Sequence, residues 1–190
     1  MNSPDIVSTR ILTVPNVISS ARLSLVPIFV WAALTGRNTL AFILLAVVGS
    51  TDWVDGYVAR RTGQVSVLGK LLDPVADRVA IVAVLSVFAF QQVIPWSLAV
   101  IILSRDLLVA VVFAIVESRG VPRIEVNFVG KTATALIYTG TAFAAAGRIM
   151  SPSDEQVVRM IAVAMLAAGA ALYWISVAMY AAAIRKKLVT

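Results

Sequence analysis

Long apolar stretches alternate with short polar breaks along almost the whole chain. The stretches cover roughly residues 16–35, 39–60, 69–90, 96–117, 129–147 and 157–184, the first five close to the ~20 residues a helix needs to cross the hydrocarbon of a bilayer and the last one longer. Turn-forming segments separate them: Gly36-Arg37-Asn38, Arg60 to Gly69, Gln91 to Pro95, Ser118 to Glu125 and Ser151 to Glu155. The pattern predicts an all-α fold, an integral membrane bundle of about six transmembrane helices forming a single domain over residues 1–190. Ile11 to Val14, ahead of Pro15-Asn16, reads as a short N-terminal interfacial segment. Met1 to Thr9 is polar and lacks the basic start and short apolar core of a cleavable signal, so a short cytoplasmic tail is expected.

Composition narrows the chemistry. At 60% hydrophobic residues and a mean hydropathy of +0.93, the chain is too apolar for an ordinary soluble domain. It has no cysteine and no histidine. That excludes disulfides, thiolate metal sites and a cysteine or histidine nucleophile, and it leaves acid–base work to carboxylates, a lysine or metal-bound groups. The net charge of +6 fits attraction to anionic lipid head groups. Nucleic acid is not expected, because little of the chain lies outside lipid to build a basic surface.

Against this apolar background, Asp52, Asp55, Asp73 and Asp77 stand out. A carboxylate inside a bilayer costs on the order of 2.5–3.5 kcal/mol, so an intramembrane acid is a functional residue until shown otherwise. On a helix, Asp52 and Asp55 lie about 60° apart and Asp73 and Asp77 about 40° apart, so each pair shares a face. Gly56 and Ala59 extend the first face with almost no side chain, leaving a notch for a helix or ligand. With a turn between them, the two helices form a hairpin whose acidic faces are opposed. Four converging carboxylates repel one another unless protons or cations neutralise them. Ligation by oxygen alone points to a hard ion, Mg²⁺ or Mn²⁺, with two ions per site as an option.

Other charged positions admit two readings. Arg22 either snorkels to head groups or faces the substrate. Arg105-Asp106 is either an interior ion pair or places Arg105 against the substrate. Pro74 is expected within about the first turn of the third span, where a missing amide is best tolerated. Basic residues set the orientation: Arg10, Arg60, Arg61, Lys70, Arg119, Arg123, Lys131 and Arg185-Lys186-Lys187 fall on one side, and Arg37, Arg148 and Arg159 on the other. Both termini and the aspartate hairpin are therefore expected in the cytoplasm. The alanine-rich stretches Ala142–Ala146 and Ala162–Ala171 read as close-packing faces.

The segment Asp52-x2-Asp55-Gly56-x2-Ala59-Arg60-x8-Gly69-x3-Asp73-x3-Asp77 resembles, at every fixed position, the signature of the CDP-alcohol phosphotransferase family. Pro15-Asn16, Leu72-Asp73-Pro74, Ser104-Arg105-Asp106 and Gly130-Lys131 extend the resemblance toward the phosphatidylglycerophosphate synthase branch and its actinobacterial cardiolipin-synthesising relatives. The resemblance implies transfer of a substituted phosphate from a CDP-linked lipid, CDP-diacylglycerol, to an alcohol with release of CMP. It also implies that Asp52, Asp55, Asp73 and Asp77 are metal ligands, with Asp77 as the general base. Gly56, Ala59, Arg60 and Gly69 would hold the CDP-lipid, with Lys70 and Arg61 assisting it or contacting lipid phosphates. Two metal ions about 3.5–4 Å apart can clamp the attacking and leaving oxygens of an in-line displacement. Direct displacement is favoured over a covalent enzyme intermediate. A homodimer in the plasma membrane is implied as well.

Two other classes fit less well. A cation transporter also carries acids in its helices, but it predicts them near the midplane on broken helices, whereas these lie toward the cytoplasmic ends. A structural scaffold has no reason to bury four acids.

The acceptor is the finest distinction. The aspartate motif is shared by enzymes with different alcohols, so basic residues must choose, and a dianionic phosphomonoester needs more positive charge than a phosphodiester. Phosphatidylglycerophosphate synthases commonly carry Gly-Lys-x-Lys-Thr on the fifth span. Here the stretch is Gly130-Lys131-Thr132-Ala133-Thr134, with one lysine. The resemblance therefore leans to phosphatidylglycerol as acceptor, held by Lys131, Arg105 and Arg123, with glycerol-3-phosphate as the alternative if Arg119 and Arg123 supply the missing charge.

Overall fold

A computed structural model describes residues 14–62, 67–118 and 128–189, with side chains described over 20–51, 75–112, 115 and 128–182. Six helices follow in order: α1 Val14–Leu34, α2 Asn38–Thr62, α3 Val67–Phe90, α4 Trp96–Ser118, α5 Phe128–Gly147 and α6 Pro152–Val189. No strand occurs among the described residues. The tail and the expected interfacial segment up to Thr13 lie outside them, while Val14, the segment's last residue, begins α1. The described residues group into two compact units, Met1–Val87 and Phe88–Thr190.

In the first unit α1 packs on α2. The turn between them is closed by its own backbone: Arg37 N–H donates to Ala32 O at 2.9 Å and Gly36 N–H to Ala33 O at 3.2 Å. This is a helix-ending arrangement that needs a left-handed residue, and Gly36 supplies it at φ 76°. Arg37 then lies 4.6 Å from the Trp31 ring, keeping a charge and an amphipathic aromatic together at a helix end. At the far end of α3, which falls in the second unit, Val93 N–H donates to Phe88 O at 2.8 Å and Gln92 N–H to Ala89 O at 3.1 Å. Gln92 takes the left-handed position there, at φ 59°.

The second unit is built on the α5–α6 pair, with α4 against α6. Small residues allow the close approach. A Cβ on Gly169 would sit 2.8 Å from Ile137 Cγ1 and 3.2 Å from Ala133 O, and one on Gly140 would sit 2.9 Å from Leu166 Cγ and 3.2 Å from Ala162 O. Ala144, Ala145, Ala162 and Ala170 are buried around this contact, as the alanine-rich stretches predict. Trp174 Nε1 donates to Ile101 O at 3.2 Å, tying α6 to α4.

The expected polar turn Ser151–Glu155 is instead the start of α6. Pro152 occupies the first helical position, Ser151 O accepts from Glu155 N–H at 2.8 Å, and Asp154 and Glu155 fall in the first turn. Proline is tolerated there because its missing amide would be unpaired anyway, and acids suit the positive end of the helix dipole. Arg148, following α5, closes the corner with Nη1 3.1 Å from Glu155 Oε1.

Among the described residues one stretch, Pro152–Ala182, is long and apolar enough to cross a membrane, while Ser20–Leu34 and Asn38–Thr51 are shorter apolar stretches. Charged groups such as Asp77-Arg78 and Arg105-Asp106 interrupt apolar runs elsewhere. Large hydrophobic side chains nevertheless face outward along α4, where Val100, Leu107, Leu108, Val111 and Ile115 are all exposed. A soluble monomer rarely carries such a surface.

Candidate active site

Helix α2 runs unbroken through positions 52 to 60 and α3 through positions 69 to 77. Helical geometry therefore places Asp52 with Asp55, and Asp73 with Asp77, on one face each, as the spacing predicts. Of these four side chains, that of Asp77 is described. Those of Asp52, Asp55, Asp73, Gly56, Ala59, Arg60 and Gly69 lie outside the described residues, as does Arg123. The expected turn from Arg60 to Gly69 is shorter than the sequence implied, since α2 continues to Thr62 and α3 begins at Val67. Pro74 consequently falls at the eighth position of α3, beyond the first turn. There its ring costs the helix one backbone hydrogen bond, to the carbonyl of Lys70.

Asp77 is held by α1. Arg22 Nη1 donates to Asp77 Oδ1 at 2.6 Å. Arg22 is 2% exposed, so it does not snorkel to a surface. Burial explains why: a guanidinium enclosed by protein requires a counter-charge, and Asp77 supplies it. The Asp77 side chain keeps 36% exposure.

A second polar cluster lies in the other unit. Arg105 and Asp106 are both buried and pair through Arg105 Nη1 and Asp106 Oδ1 at 3.1 Å. The Arg105 guanidinium carbon lies 3.9 Å from the centroid of the Tyr173 ring. Tyr173, itself buried, reaches Thr134 Oγ1 with its hydroxyl at 3.2 Å. Thr134 donates its single hydroxyl proton to Gly130 O at 3.0 Å, so Tyr173 is the donor in the Tyr173–Thr134 bond. Arg105 Nε is buried without a hydrogen-bond partner among the described residues. Lys131, beside Gly130, is exposed.

Sequence reasoning treated Arg22 as a choice between lipid and substrate and did not single out Thr134 or Tyr173 as site residues. An arginine in an apolar span was signal enough to suspect Arg22. Tyr173 carried none, because its relation to Arg105 comes from the packing of α4 on α6.

Metal ligation rests on the chemistry of the donor set. Among the described residues no group of three or more acidic, histidine or cysteine side chains converges, and three of the four motif aspartates fall outside that description. Four carboxylates with no nitrogen or sulfur donor suit a hard divalent ion.

A sequence model of the CDP-alcohol phosphatidyltransferase family matches residues 12–182. The chain belongs to that family. As a CDP-alcohol phosphatidyltransferase it is an enzyme of phospholipid synthesis. It is 34% identical over 187 residues to the cardiolipin synthase (CMP-forming) of Streptomyces coelicolor, a match covering 93% of this chain and 85% of that protein. A Mycobacterium tuberculosis protein provisionally named as a cardiolipin synthase is 41% identical over 132 residues, 69% of this chain and 63% of that protein. The CDP-diacylglycerol–glycerol-3-phosphate 3-phosphatidyltransferase of Bacillus subtilis is 32% identical over 135 residues, 63% of this chain and 69% of that protein.

Proposed function

We propose that this phosphatidyltransferase transfers the phosphatidyl group of CDP-diacylglycerol to phosphatidylglycerol, giving cardiolipin and CMP. The observation that carries the site assignment is the acid motif on unbroken α2 and α3, ending in Asp77. A free hydroxyl of the acceptor attacks the phosphorus that bears the diacylglycerol. The bond from that phosphorus to the bridging pyrophosphate oxygen breaks, and CMP leaves with the oxygen. Asp77 takes the hydroxyl proton. Gly56, Ala59 and Gly69 leave room for the nucleotide against the backbone, and Arg60 offers its planar fork to the pyrophosphate. Asp52, Asp55 and Asp73, with Asp77, would hold Mg²⁺ or Mn²⁺, which when bound neutralises their charge and that of the pyrophosphate.

Arg105 and Lys131 serve the acceptor phosphate, together with Arg123. The buried Nε of Arg105, unpartnered among the described residues, supports this role, as does the chain of contacts from Arg105 through Tyr173 and Thr134 to Gly130, next to Lys131. The single lysine and the Streptomyces coelicolor relative favour a phosphodiester acceptor. The six helices are read as spans of the plasma membrane, with the termini and the acid motif on the cytoplasmic side and two copies forming a dimer.

The test is to incubate purified enzyme with CDP-diacylglycerol and each acceptor separately, then identify the lipid by mass. Cardiolipin is expected from phosphatidylglycerol. Robust phosphatidylglycerophosphate from glycerol-3-phosphate, with no cardiolipin, would replace the acceptor and leave the site assignment standing.

A further inference from the structure

The Arg22–Asp77 pair is asymmetric. The two residues lie 55 positions apart, joining α1 to α3 inside the Met1–Val87 unit. The guanidinium side chain is 1% exposed and the carboxylate side chain 36%. Neutralising the enclosed guanidinium requires a carboxylate beside it, but it does not require that carboxylate to keep about a third of its own surface exposed. Here the cation is enclosed and the anion is partly exposed. Arginine stays protonated throughout the accessible pH range, so it cannot take the acceptor's proton from Asp77. Its donors form a rigid planar fork, and a fork fixed by packing fixes whatever oxygen it holds.

We propose that Arg22 is a positioning residue for Asp77: by gripping Oδ1 from a buried seat on α1, it fixes the rotation of the carboxylate and the angle at which Asp77 meets the acceptor hydroxyl. The inference rests on the reading of Asp77 as the base of the proposed reaction. A base offset by about 1 Å loses on the order of a hundredfold in rate, so a positioning contact of this kind governs turnover more than binding. Removing the cation leaves the acid cluster more negative, so affinity for a divalent ion is maintained or increased.

The test uses the full chain in lipid nanodiscs as wild type, Arg22→Lys, Arg22→Gln, Asp77→Asn and the Arg22→Gln/Asp77→Asn double variant. The readouts are kcat and both lipid KM values from CMP release, Mn²⁺ binding by electron paramagnetic resonance, and melting temperature. Arg22→Gln is expected to lower kcat about a hundredfold while leaving both KM values and Mn²⁺ affinity within about threefold. Arg22→Lys, which keeps the charge without the fork, recovers part of that loss. In the Asp77→Asn background Arg22→Gln costs nothing further, because its effect passes through the carboxylate. The inference is overturned if Arg22→Gln turns over at the wild-type rate while Asp77→Asn is impaired, or if it lowers the residual rate of Asp77→Asn by the same factor as that of the wild type. It is also overturned if both Arg22 variants lose Mn²⁺ binding and melting temperature together, the mark of a merely structural pair. Wild-type turnover by Asp77→Asn sinks the base assignment itself, and the inference with it.

Discussion

The ring of Tyr173 lies under the guanidinium of Arg105 at 3.9 Å, and its hydroxyl donates to Thr134. One side chain on α6 thus links an arginine of α4 to the Gly130–Thr134 stretch that opens α5. A cation over an aromatic face contributes roughly 0.5–2 kcal/mol, equivalent to about 2- to 30-fold in an equilibrium constant. Tyr173→Leu removes both links and is expected to raise the acceptor KM within about that range while leaving the CDP-diacylglycerol KM unchanged. Tyr173→Phe keeps the ring and loses only the hydroxyl bond, so its effect is smaller. Equal rises in both KM values with a lowered melting temperature would make Arg105-Asp106 a structural pair only.

The acid motif predicts metal dependence. Asp52→Asn, Asp55→Asn and Asp73→Asn are each expected to abolish CMP release from CDP-diacylglycerol, and excess chelator to do the same to the wild type, reversibly on return of Mg²⁺ or Mn²⁺. Turnover at full rate in excess chelator would remove the metal from the site.

The sequence made the helices legible because a long apolar run in a chain this hydrophobic has few alternatives to a helix. Its errors fall where local chemistry extends a helix into polar sequence. Pro152 with Asp154 and Glu155 favours a helix start, so α6 begins at Pro152 rather than near Val157. The acid motif was legible because its spacing matches the helical repeat, a property of one element at a time. The partners Arg22–Asp77 and Arg105–Tyr173 were not, since they depend on how separate helices cross, which periodicity does not encode. The Arg105–Asp106 pair is one of the two readings that the sequence left open for Arg105.

Helix contact through glycine gives a stability prediction. Gly169→Ala places a Cβ against Ile137 and the Ala133 carbonyl, and backbone on the other side cannot yield. The expected cost is about 1–3 kcal/mol, read as a lower melting temperature in detergent. Gly49, also helical, has nothing within 4 Å of its would-be Cβ. Gly49→Ala should therefore leave the melting temperature unchanged or raise it, since alanine favours helix by up to about 1 kcal/mol. Equal losses from both substitutions would show that the α5–α6 approach is looser than these distances imply.

Ala133 holds the place where a second lysine stands in Gly-Lys-x-Lys-Thr, so Ala133→Lys looks like the simplest way to add charge for a phosphomonoester acceptor. Its surroundings say otherwise. Ala133 is 0% exposed, and its carbonyl lies at a close approach of α6, 3.2 Å from where a Cβ on Gly169 would sit. A lysine there must either bury its ammonium or force α5 from α6, and overpacking alone costs about 1–3 kcal/mol. Ala133→Lys is therefore expected to lower the melting temperature and cardiolipin formation together, with no gain of phosphatidylglycerophosphate from glycerol-3-phosphate. Helix packing then accounts for alanine at this position without reference to the acceptor. Acquisition of glycerol-3-phosphate activity at an unchanged melting temperature would show that this face of α5 can reach the acceptor, and would return Ala133 to the set of specificity positions.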